Sequence, residues 1–335
     1  MRAVNLMVEE DLLPMEARLV AELPSGAGWQ FEPKWDGFRC LVYKNGAEVK
    51  LQAKSGKSLG RYFPEIITAI ASAPIKRFTI DGELIIEIDG ESSFEALQMR
   101  LHPAASRIAK LARETPAMLM AFDCLRDKSG WPIVDAALTK RRQALEDVVS
   151  GFSGKQRTEL TRYTTDRRLA LRWLNGGLPG IDGVIAKRLD SPYVSAERAM
   201  LKVKRIRTAD CVVGGFRYGA AGKVVASLLL GLFDEAGKLH HVGFTSAISG
   251  AEKPKLTEVL EKLIAPPGFT GDAPGAPSRW SNARSAEWQP LKPKLVAEVA
   301  YDHVTGHRFR HGTRFIRWRP DKSARQCTFE QIASK

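Results

Sequence analysis

One stretch constrains this chain more than any other: Glu32-Pro33-Lys34-Trp35-Asp36-Gly37-Phe38-Arg39. It leads directly into Cys40-Leu41-Val42-Tyr43, which reads as a β-strand. Pro33 has a fixed φ angle and Gly37 permits a tight bend, so Lys34 is held between two constrained backbone segments. A lysine amine has an ordinary pKa of about 10.4, and it becomes a nucleophile only when burial or neighbouring cations lower that pKa. Lys34 is therefore either a nucleophile or an ordinary surface lysine, and the rest of the sequence has to decide.

Length and composition bound the class of protein. With 335 residues the chain predicts two domains, because single cores stop growing beyond about 250–300 residues. The chain has no run of about 18 apolar residues, so no transmembrane helix is expected, and residues 1–11 lack the apolar core of a signal peptide. The expected location is the cytoplasm. The four cysteines are dispersed and form no Cys-x-x-Cys pair, which argues against a zinc ribbon or a disulfide framework.

The charge of the chain points to a polyanionic partner. The formal net charge is +13 and the pI is near 9.6. Basic residues cluster at Arg205-Ile206-Arg207 and again between residues 307 and 319. Such a balance favours nucleic acid, whereas the alternative is that the charges are scattered and only keep the protein in solution.

The N-terminal part of the chain alternates strand and helix patterns. A short helical pattern at residues 15–20 precedes a predicted hairpin at 40–52, whose turn is Lys44-Asn45-Gly46. Further helical patterns cover residues 63–70, 94–112, 138–149 and 167–173, and Lys140-Arg141-Arg142 is predicted on the outer face of its helix. Residues 78–87 read as a hairpin-like stretch. Residues 117–125 form an almost fully apolar strand, which is typical of the centre of a sheet.

Charged side chains recur on these predicted strands. Asp81 and Glu83 are two residues apart, so in an extended chain they project to the same face. Carboxylates buried without partners are costly. They therefore predict a metal, a sugar hydroxyl or a lysine beside them, unless the strand is a solvent-facing edge. Lys187 ends a predicted strand at residues 180–188, and Lys202 and Lys204 share one face of another short strand.

The sequence changes in character from residue 209. Short strands with glycine between them, at 211–216, 226–232, 240–244, 295–301 and 315–318, accompany one helical pattern at 253–264. Residues 234–238 are predicted as a hairpin turn. This combination fits a small β-barrel of the oligonucleotide-binding type. The linker between the two predicted domains would lie near residues 205–208.

At this point the sequence resembles the ATP-dependent DNA ligases, a family of the covalent nucleotidyltransferase superfamily. Motifs occur in the family's order over residues 32–322, and they are Lys34-Trp35-Asp36-Gly37-Phe38-Arg39, Asp81-Gly82-Glu83, Phe122-Asp123, the run from Asp182 to Lys187, Lys202-Val203-Lys204 and Arg319-Pro320-Asp321-Lys322. The brevity of the chain is similar to that of the bacterial repair ligases associated with end joining. Two positions depart from the family pattern. Asp182 stands where Glu is usual, and Lys54 stands where Arg is frequent and so lacks a bidentate fork.

The resemblance implies an α+β fold with two domains. Residues 1–206 would form the nucleotidyltransferase (adenylation) domain, an ATP-grasp-like catalytic domain of antiparallel sheets and helices. Residues 207–335 would form a C-terminal OB-fold β-barrel that binds DNA.

The resemblance also implies a three-step reaction. Lys34 attacks the α-phosphate of ATP, the AMP passes to a 5′-phosphate at a DNA break, and a 3′-hydroxyl then displaces it. The catalytic residues expected are Lys34, Lys187, Lys202 and Lys204, the last three lowering the pKa of Lys34 by like charge. Those expected to bind ATP are Glu32, Arg39, Lys54, Glu83, Phe122, Lys187, Lys202, Lys204, Arg319 and Lys322. Phe122 would stack on adenine, and Arg319 and Lys322 would meet the β- and γ-phosphates.

The implied cofactor beside ATP is Mg²⁺ or Mn²⁺, with Asp36, Glu83 and Asp182 as expected ligands. The shorter side chain of Asp182 leaves open whether it replaces the usual Glu. The implied partner is nicked or broken duplex DNA, with a repair polymerase or an end-binding protein as a candidate for recruitment. A monomer at the bacterial nucleoid is expected.

Three alternatives to this family are open to a chain with these motifs. An RNA ligase or a capping-type guanylyltransferase belongs to the same superfamily, and a non-catalytic nucleic-acid-binding relative would keep the fold without the chemistry. The presence of Lys34, Lys202 and Lys204 argues against the non-catalytic relative. An NAD-dependent ligase is disfavoured because the cysteine spacing cannot form that family's zinc finger and the chain is too short.

Overall fold

The structure is a computed structural model that describes residues 12–152, 157–219, 222–275 and 287–333. The chain divides into two compact units, Met1–Arg205 and Ile206–Lys335. Residues 1–11, on which the signal-peptide prediction depended, lie outside the described residues.

Unit 1 is a mixture of strands and helices. In chain order its strands are β1 Ala17–Leu19, β2 Trp29–Trp35, β3 Phe38–Asn45, β4 Glu48–Ala53, β5 Arg77–Ile85, β6 Glu87–Ile88, β7 Glu91–Ser92, β8 Met118–Arg126, β9 Thr158–Leu160, β10 Ile181–Arg188 and β11 Met200–Lys204. Its helices are α1 Pro64–Ala71, α2 Phe94–Arg100, α3 Ala105–Glu114, α4 Leu138–Ser150 and α5 Arg167–Arg172, the last continued by a π-turn over Trp173–Gly177.

Two main sheets organise unit 1. One has the order β4-β3-β5-β8-β9, and the other has the order β1-β11-β10-β2. β8 lies inside the first sheet, and the side chains from Leu119 to Leu125 are buried. This agrees with the expectation that its apolar run belongs at the centre of a sheet. A core of aliphatic and aromatic side chains packs between this sheet and α1, α2 and α4.

The backbone around Lys34 depends on two glycines. A Cβ atom on Gly37 would lie 2.1 Å from the carbonyl oxygen of Leu84, and one on Gly183 would lie 2.1 Å from that of Val203. Both glycines are therefore required for close backbone approach. Gly183 pairs with Lys34 across β2 and β10. The close approach of Gly183 to Val203 therefore helps to fix the position of the Lys34 backbone.

Four local predictions were wrong. Residues 15–20 are not helical, because β1 pairs in parallel with β11 and takes its conformation from that partner. Residues 78–87 contain one long strand, β5, rather than a hairpin. The pattern at 94–112 is two helices, separated where Pro103 interrupts the backbone hydrogen bonds. Arg141 and Arg142 are buried rather than on the outer face of α4, because Arg141 finds a carboxylate partner in Asp123.

Unit 2 is mainly β-structure. Its strands are β12 Arg207–Gly219, β13 Gly222–Phe233, β14 Leu239–Thr245, β15 Gln289–Pro290, β16 Val296–Tyr301, β17 Val304–Thr305, β18 Arg308–Phe309 and β19 Arg314–Trp318. Its helix is α6 Lys253–Glu261. The tight turn between β13 and β14 was predicted at residues 234–238, where Asp234 accepts a hydrogen bond from the backbone of Lys238.

The main sheet of unit 2 curves far enough for its outer strands to meet at one end. Its order is β14-β13-β12-β16-β19, with β15 added beside β12. Next to the ends of β14 and β19, a parallel bridge joins Thr245 and Thr313, and the Thr245 hydroxyl donates to the Thr313 carbonyl oxygen (2.9 Å). The interior is filled by aliphatic and aromatic side chains. This architecture agrees with the predicted OB-fold type.

None of the helices in the described parts of the chain combines the length and the apolar composition that crossing a bilayer would require.

A buried ion pair makes the stability of unit 1 testable. The Arg100 side chain is fully buried and donates to both carboxylate oxygens of Glu65 (2.7 Å each) and to the carbonyl oxygen of Tyr62 (2.8 Å). Replacing Arg100 with Ala leaves the Glu65 charge without its partner. We expect Arg100→Ala to lower the free energy of unfolding by about 3–5 kcal/mol.

Chemical denaturation checks this, with Lys110→Ala as the control. Lys110 is exposed and lies 3.8 Å from Glu114 one helical turn away, so its loss should cost less than about 1 kcal/mol. Equal effects of the two substitutions would contradict the buried pair as a stabilising element.

Candidate active site

A cleft lies where the two main sheets of unit 1 meet, and its walls carry most of the predicted site residues. It is lined by Pro14, Met15, Glu16, Ala17, Glu32, Pro33, Lys34, Trp35, Arg39, Lys54, Glu83, Phe122, Ile185, Lys187, Met200 and Lys202. Residues separated by more than a hundred positions in sequence therefore share one cavity. Five predicted residues do not line it. Asp182 and Lys204 lie on β10 and β11, and Asp36 lies in the bend between β2 and β3. The other two, Arg319 and Lys322, belong to unit 2.

Lys34 is held against a carboxylate. Its ammonium group contacts the Oδ2 atom of Asp182, whose side chain is buried, while Lys34 is about one-fifth exposed. The pairing of β2 with β10 shifts register between Ile181 and Gly183, so Asp182 lies in a bulge beside Lys34. Bulges commonly redirect a side chain in this way. The shorter Asp182 thus meets the lysine itself.

Two other lysines of the same sheet add positive charge near Lys34. Burial lowers the pKa of Lys202, and the positive charges of Lys34 and Lys204 lower it further. Lys202 and Lys204 lie on β11, which pairs with β10 next to β2. The strand order therefore gathers the lysines that the sequence separates.

Lys187 has a different environment from the one expected. Its ammonium group lies 2.8 Å from a carboxylate oxygen of Glu32 and 3.7 Å from one of Asp123, and all three side chains are buried. Asp123 also accepts hydrogen bonds from Arg141 (2.8 and 3.2 Å). Because its charge is compensated, Lys187 exerts less repulsion on Lys34 than its position in the motif suggests. Lys187 instead lines the cleft beside Glu32 and Phe122.

Phe122 is bordered by two cations. The Cζ atom of Arg39 lies 4.4 Å from the centre of its ring, and the Nζ atom of Lys187 lies 4.7 Å from the same centre. Arg39 is fixed by a bidentate pair with Asp81, in which Nε donates to Oδ1 and Nη2 to Oδ2 (2.6 Å each). Asp81, predicted to share a face with Glu83, is fully buried. Its carboxylate binds the guanidinium of Arg39 rather than a metal or a sugar hydroxyl.

Two of the three predicted metal ligands lie close together in unit 1. A carboxylate oxygen of Asp36 lies within 4.8 Å of one of Asp182. Burial raises the pKa of Glu83 to about 7, an effect that the nearby charges of Arg39 and Lys34 oppose. Oxygen ligands of this kind suit Mg²⁺, which is held by one or two carboxylates together with substrate phosphates. The close pair of carboxylates from Asp36 and Asp182 therefore suits the predicted metal.

Lys54 lies at the rim of the cleft. Its ammonium group is 3.0 Å from a carboxylate oxygen of Glu16, and it is more than half exposed. Glu16 also lies 3.8 Å from Arg198. A phosphate that binds Lys54 would thus compete with Glu16, whose role sequence reasoning missed.

The last two predicted site residues lie in unit 2, where a single carboxylate holds both. Arg319 donates from Nη1 to both oxygens of Asp210 (2.9 and 3.0 Å), and Lys322 donates to its Oδ2 (2.8 Å). Arg319 also donates to Asp321. Asp210 was not identified from the sequence, because one aspartate on a strand carries no signal of its partners.

The chain is similar to known proteins along most of its length. Residues 14–204 match the family model "ATP dependent DNA ligase domain", and residues 221–322 match "ATP dependent DNA ligase C terminal region". DNA ligase C1 of Mycolicibacterium smegmatis is 42% identical, over 98% of this chain and 96% of that protein. The multifunctional non-homologous end joining protein LigD of Pseudomonas aeruginosa is 29% identical, over 97% of this chain and 37% of that protein. A solved structure of mycobacterial DNA ligase D with ATP and MES has a TM-score of 0.53 and 29% identity, covering 96% of this chain and 99% of that one.

This chain belongs to the ATP-dependent DNA ligases, a family that joins DNA through a lysyl-AMP intermediate. The resemblance found in the sequence is confirmed, and with it the assignment of the chain as an ATP-using ligase of DNA repair. The family models and these relatives favour a DNA ligase over an RNA ligase, a capping enzyme or a non-catalytic relative.

We expect the raised pKa of Glu83 to make self-adenylation depend on pH. As pH rises from about 6 to 8, Glu83 loses its proton and becomes an anionic ligand for a metal or an acceptor for a hydroxyl. Glu83→Gln stays neutral throughout. We expect the ratio of wild-type to Glu83→Gln self-adenylation rates to rise severalfold over this range, measured by incorporation of labelled AMP. A ratio that stays constant would contradict an essential ionised Glu83.

Proposed function

We propose that this ligase seals breaks in duplex DNA with Lys34 as the covalent nucleophile. The observation that carries the proposal is the placement of Lys34 in a cleft that also contains cations and an aromatic ring. In the first step, Nζ of Lys34 forms a bond to the α-phosphorus of ATP while the bond to the β-phosphate oxygen breaks and pyrophosphate leaves. The carboxylate of Asp182, in contact with Nζ, is placed to take up the amine proton.

The remaining cleft residues divide between charge and shape. Lys202 and Lys54 present positive charge to the triphosphate, and Lys204 reinforces it. Phe122 offers a flat surface for the adenine, with Ile185 and Met200 as apolar wall residues that the sequence did not identify. Arg39 and Glu83 would contact the ribose, while Glu32 and Lys187 would border the base.

Mg²⁺, or Mn²⁺ in its place, would be held by Asp36, Asp182 and Glu83 together with phosphate oxygens. When bound, it would neutralise phosphate charge and so favour attack by an amine.

In the second step the 5′-phosphate of DNA attacks the adenylate, the bond from phosphorus to Nζ breaks, and Lys34 is regenerated. In the third step a 3′-hydroxyl attacks the 5′-phosphorus and AMP leaves. Unit 2 would bind the duplex, as its OB-type fold and basic residues suggest. We place this activity at the bacterial nucleoid, with a repair polymerase or an end-binding protein delivering the break, and in a monomeric enzyme.

The nucleophile is tested by mass measurement after incubation with ATP. Wild type should gain one AMP that is stable to base and labile to acid, and Lys34→Ala should gain none because it lacks an amine. Lys57→Ala is the matched control, since Lys57 is an exposed lysine in the loop that follows β4. Adduct formation on Lys34→Ala would overturn the assignment.

A second test separates the first step from the third. Arg319 and Lys322 suit the β- and γ-phosphates, which leave in the first step. The double variant Arg319→Ala, Lys322→Ala should therefore self-adenylate at least tenfold more slowly. It should seal a nick that already carries 5′-AMP at a rate close to wild type, because pyrophosphate is no longer involved.

The control for that test is Lys292→Ala, Lys294→Ala, which removes the same charge from exposed positions of unit 2. Sealing of the pre-adenylated nick also reports that the double variant is folded. Equal losses in both reactions would show that Arg319 and Lys322 act throughout the pathway, and the division between steps would fail.

A further inference from the structure

We infer that Tyr193 is a positioning residue that fixes Arg39 at the ATP-binding face of the cleft. This inference depends on the proposed function of that cleft. Tyr193 lies in the connection between β10 and β11 and does not line the cavity. Its side chain is 5% exposed. Any effect it has on ATP must therefore pass through other residues.

The Tyr193 hydroxyl makes two hydrogen bonds. It donates to Oδ2 of Asp81 (2.6 Å) and accepts from the backbone N–H of Met15 (2.9 Å). Asp81 is fully buried, so each of its acceptor positions needs a donor. Tyr193 supplies one of them, and Arg39 supplies the others.

These contacts close into a ring. Nη2 of Arg39 donates to the same Oδ2 atom of Asp81 (2.6 Å) and also to the carbonyl oxygen of Met15 (3.2 Å). Tyr193 and Arg39 therefore both bind the carboxylate of Asp81 and the backbone of Met15. A planar guanidinium held at both Asp81 and Met15 has little rotational freedom. Removing the hydroxyl opens the ring and allows Asp81 to turn.

Arg39 is the member of the ring that reaches the cleft. Arg39, Met15 and Phe122 all line the cavity, and the guanidinium lies against the Phe122 ring. A small rotation of Asp81 would shift Arg39 relative to Phe122. The base and ribose of ATP would then meet a displaced Arg39. Loss of the Tyr193 hydroxyl should therefore weaken ATP binding.

The ring of Tyr193 has a separate contact. Cζ of Arg141 lies 5.8 Å from its centre, and Arg141 is the partner of Asp123 near Lys187. The aromatic face of Tyr193 therefore borders the buried ion pair of Arg141 and Asp123. Tyr193→Phe keeps this face and removes the hydroxyl alone, so it isolates the effect on Arg39.

A purely structural role is the competing explanation. Tyr193 packs in a small core with Met15, Leu41, Leu125 and Met200. If it only filled space, Tyr193→Phe would leave the KM for ATP unchanged, whatever it did to the melting temperature. The KM therefore distinguishes positioning from packing.

The matched control is Tyr43→Phe. Tyr43 packs against the same core, and its hydroxyl lies 3.4 Å from the carbonyl oxygen of Leu12. The hydroxyl that donates to Asp81 is instead that of Tyr193. The control therefore removes a tyrosine hydroxyl from the same neighbourhood without opening the ring.

The experiment is an ATP titration of self-adenylation by the full chain. We expect Tyr193→Phe to raise the KM for ATP about tenfold and to lower kcat less than threefold, as the loss of a buried hydrogen bond would. Tyr43→Phe should change KM less than twofold. An Arg39→Lys variant lacks the bidentate guanidinium. In that background, Tyr193→Phe should raise the KM for ATP by less than a further twofold, because both substitutions act on the position of the residue 39 side chain.

Two results would overturn the inference. One is an unchanged KM in Tyr193→Phe. The other is a full additional effect in the Arg39→Lys background, which would mean that the hydroxyl does not act through Arg39. Wild-type protein that forms no lysyl-AMP would instead refute the proposed function, so the two failures are distinguishable.

Discussion

The antiparallel pairing of β2 with β10 is the constraint on which the rest of the site depends. It aligns Lys34 with Gly183, and the absence of a side chain at Gly183 lets β11 approach. The bulge at Asp182 turns its carboxylate toward the lysine ammonium. Because β11 follows β10 in the same sheet, Lys202 and Lys204 come near Lys34 without a dedicated loop. One strand pairing thus creates both the carboxylate partner of Lys34 and its electrostatic surroundings.

Behind this sheet contact, the cleft is supported by buried ion pairs rather than by apolar packing alone. Asp81 holds Arg39, and Asp123 holds Arg141 close to Lys187. Buried pairs add little net stability compared with apolar residues, but removal of one partner is costly. Their value here is geometric, since a bidentate pair fixes the direction of a guanidinium more tightly than packing does. This explains why Asp81, Asp123 and Arg141 lie so near the cleft, where they hold the charged residues that line it.

The predictions from sequence succeeded where a signal is local. The fully apolar run of β8, the β3–β4 hairpin and the turn between β13 and β14 each follow from a few neighbouring residues. They failed where a distant partner decides. Residues 15–20 become a strand because β11 is available, and Arg141 is buried because Asp123 compensates its charge.

The sequence by itself determined the family and a set of candidate residues for its chemistry, because motif order and residue type can be read without coordinates. Only the tertiary structure decided how those residues pair. Lys187 meets Glu32, Arg319 meets Asp210, and Tyr193 meets Asp81 across gaps of about a hundred residues or more. Such pairs depend on sheet order and register, which arise from the packing of the whole unit and leave no trace in the spacing of the residues along the chain.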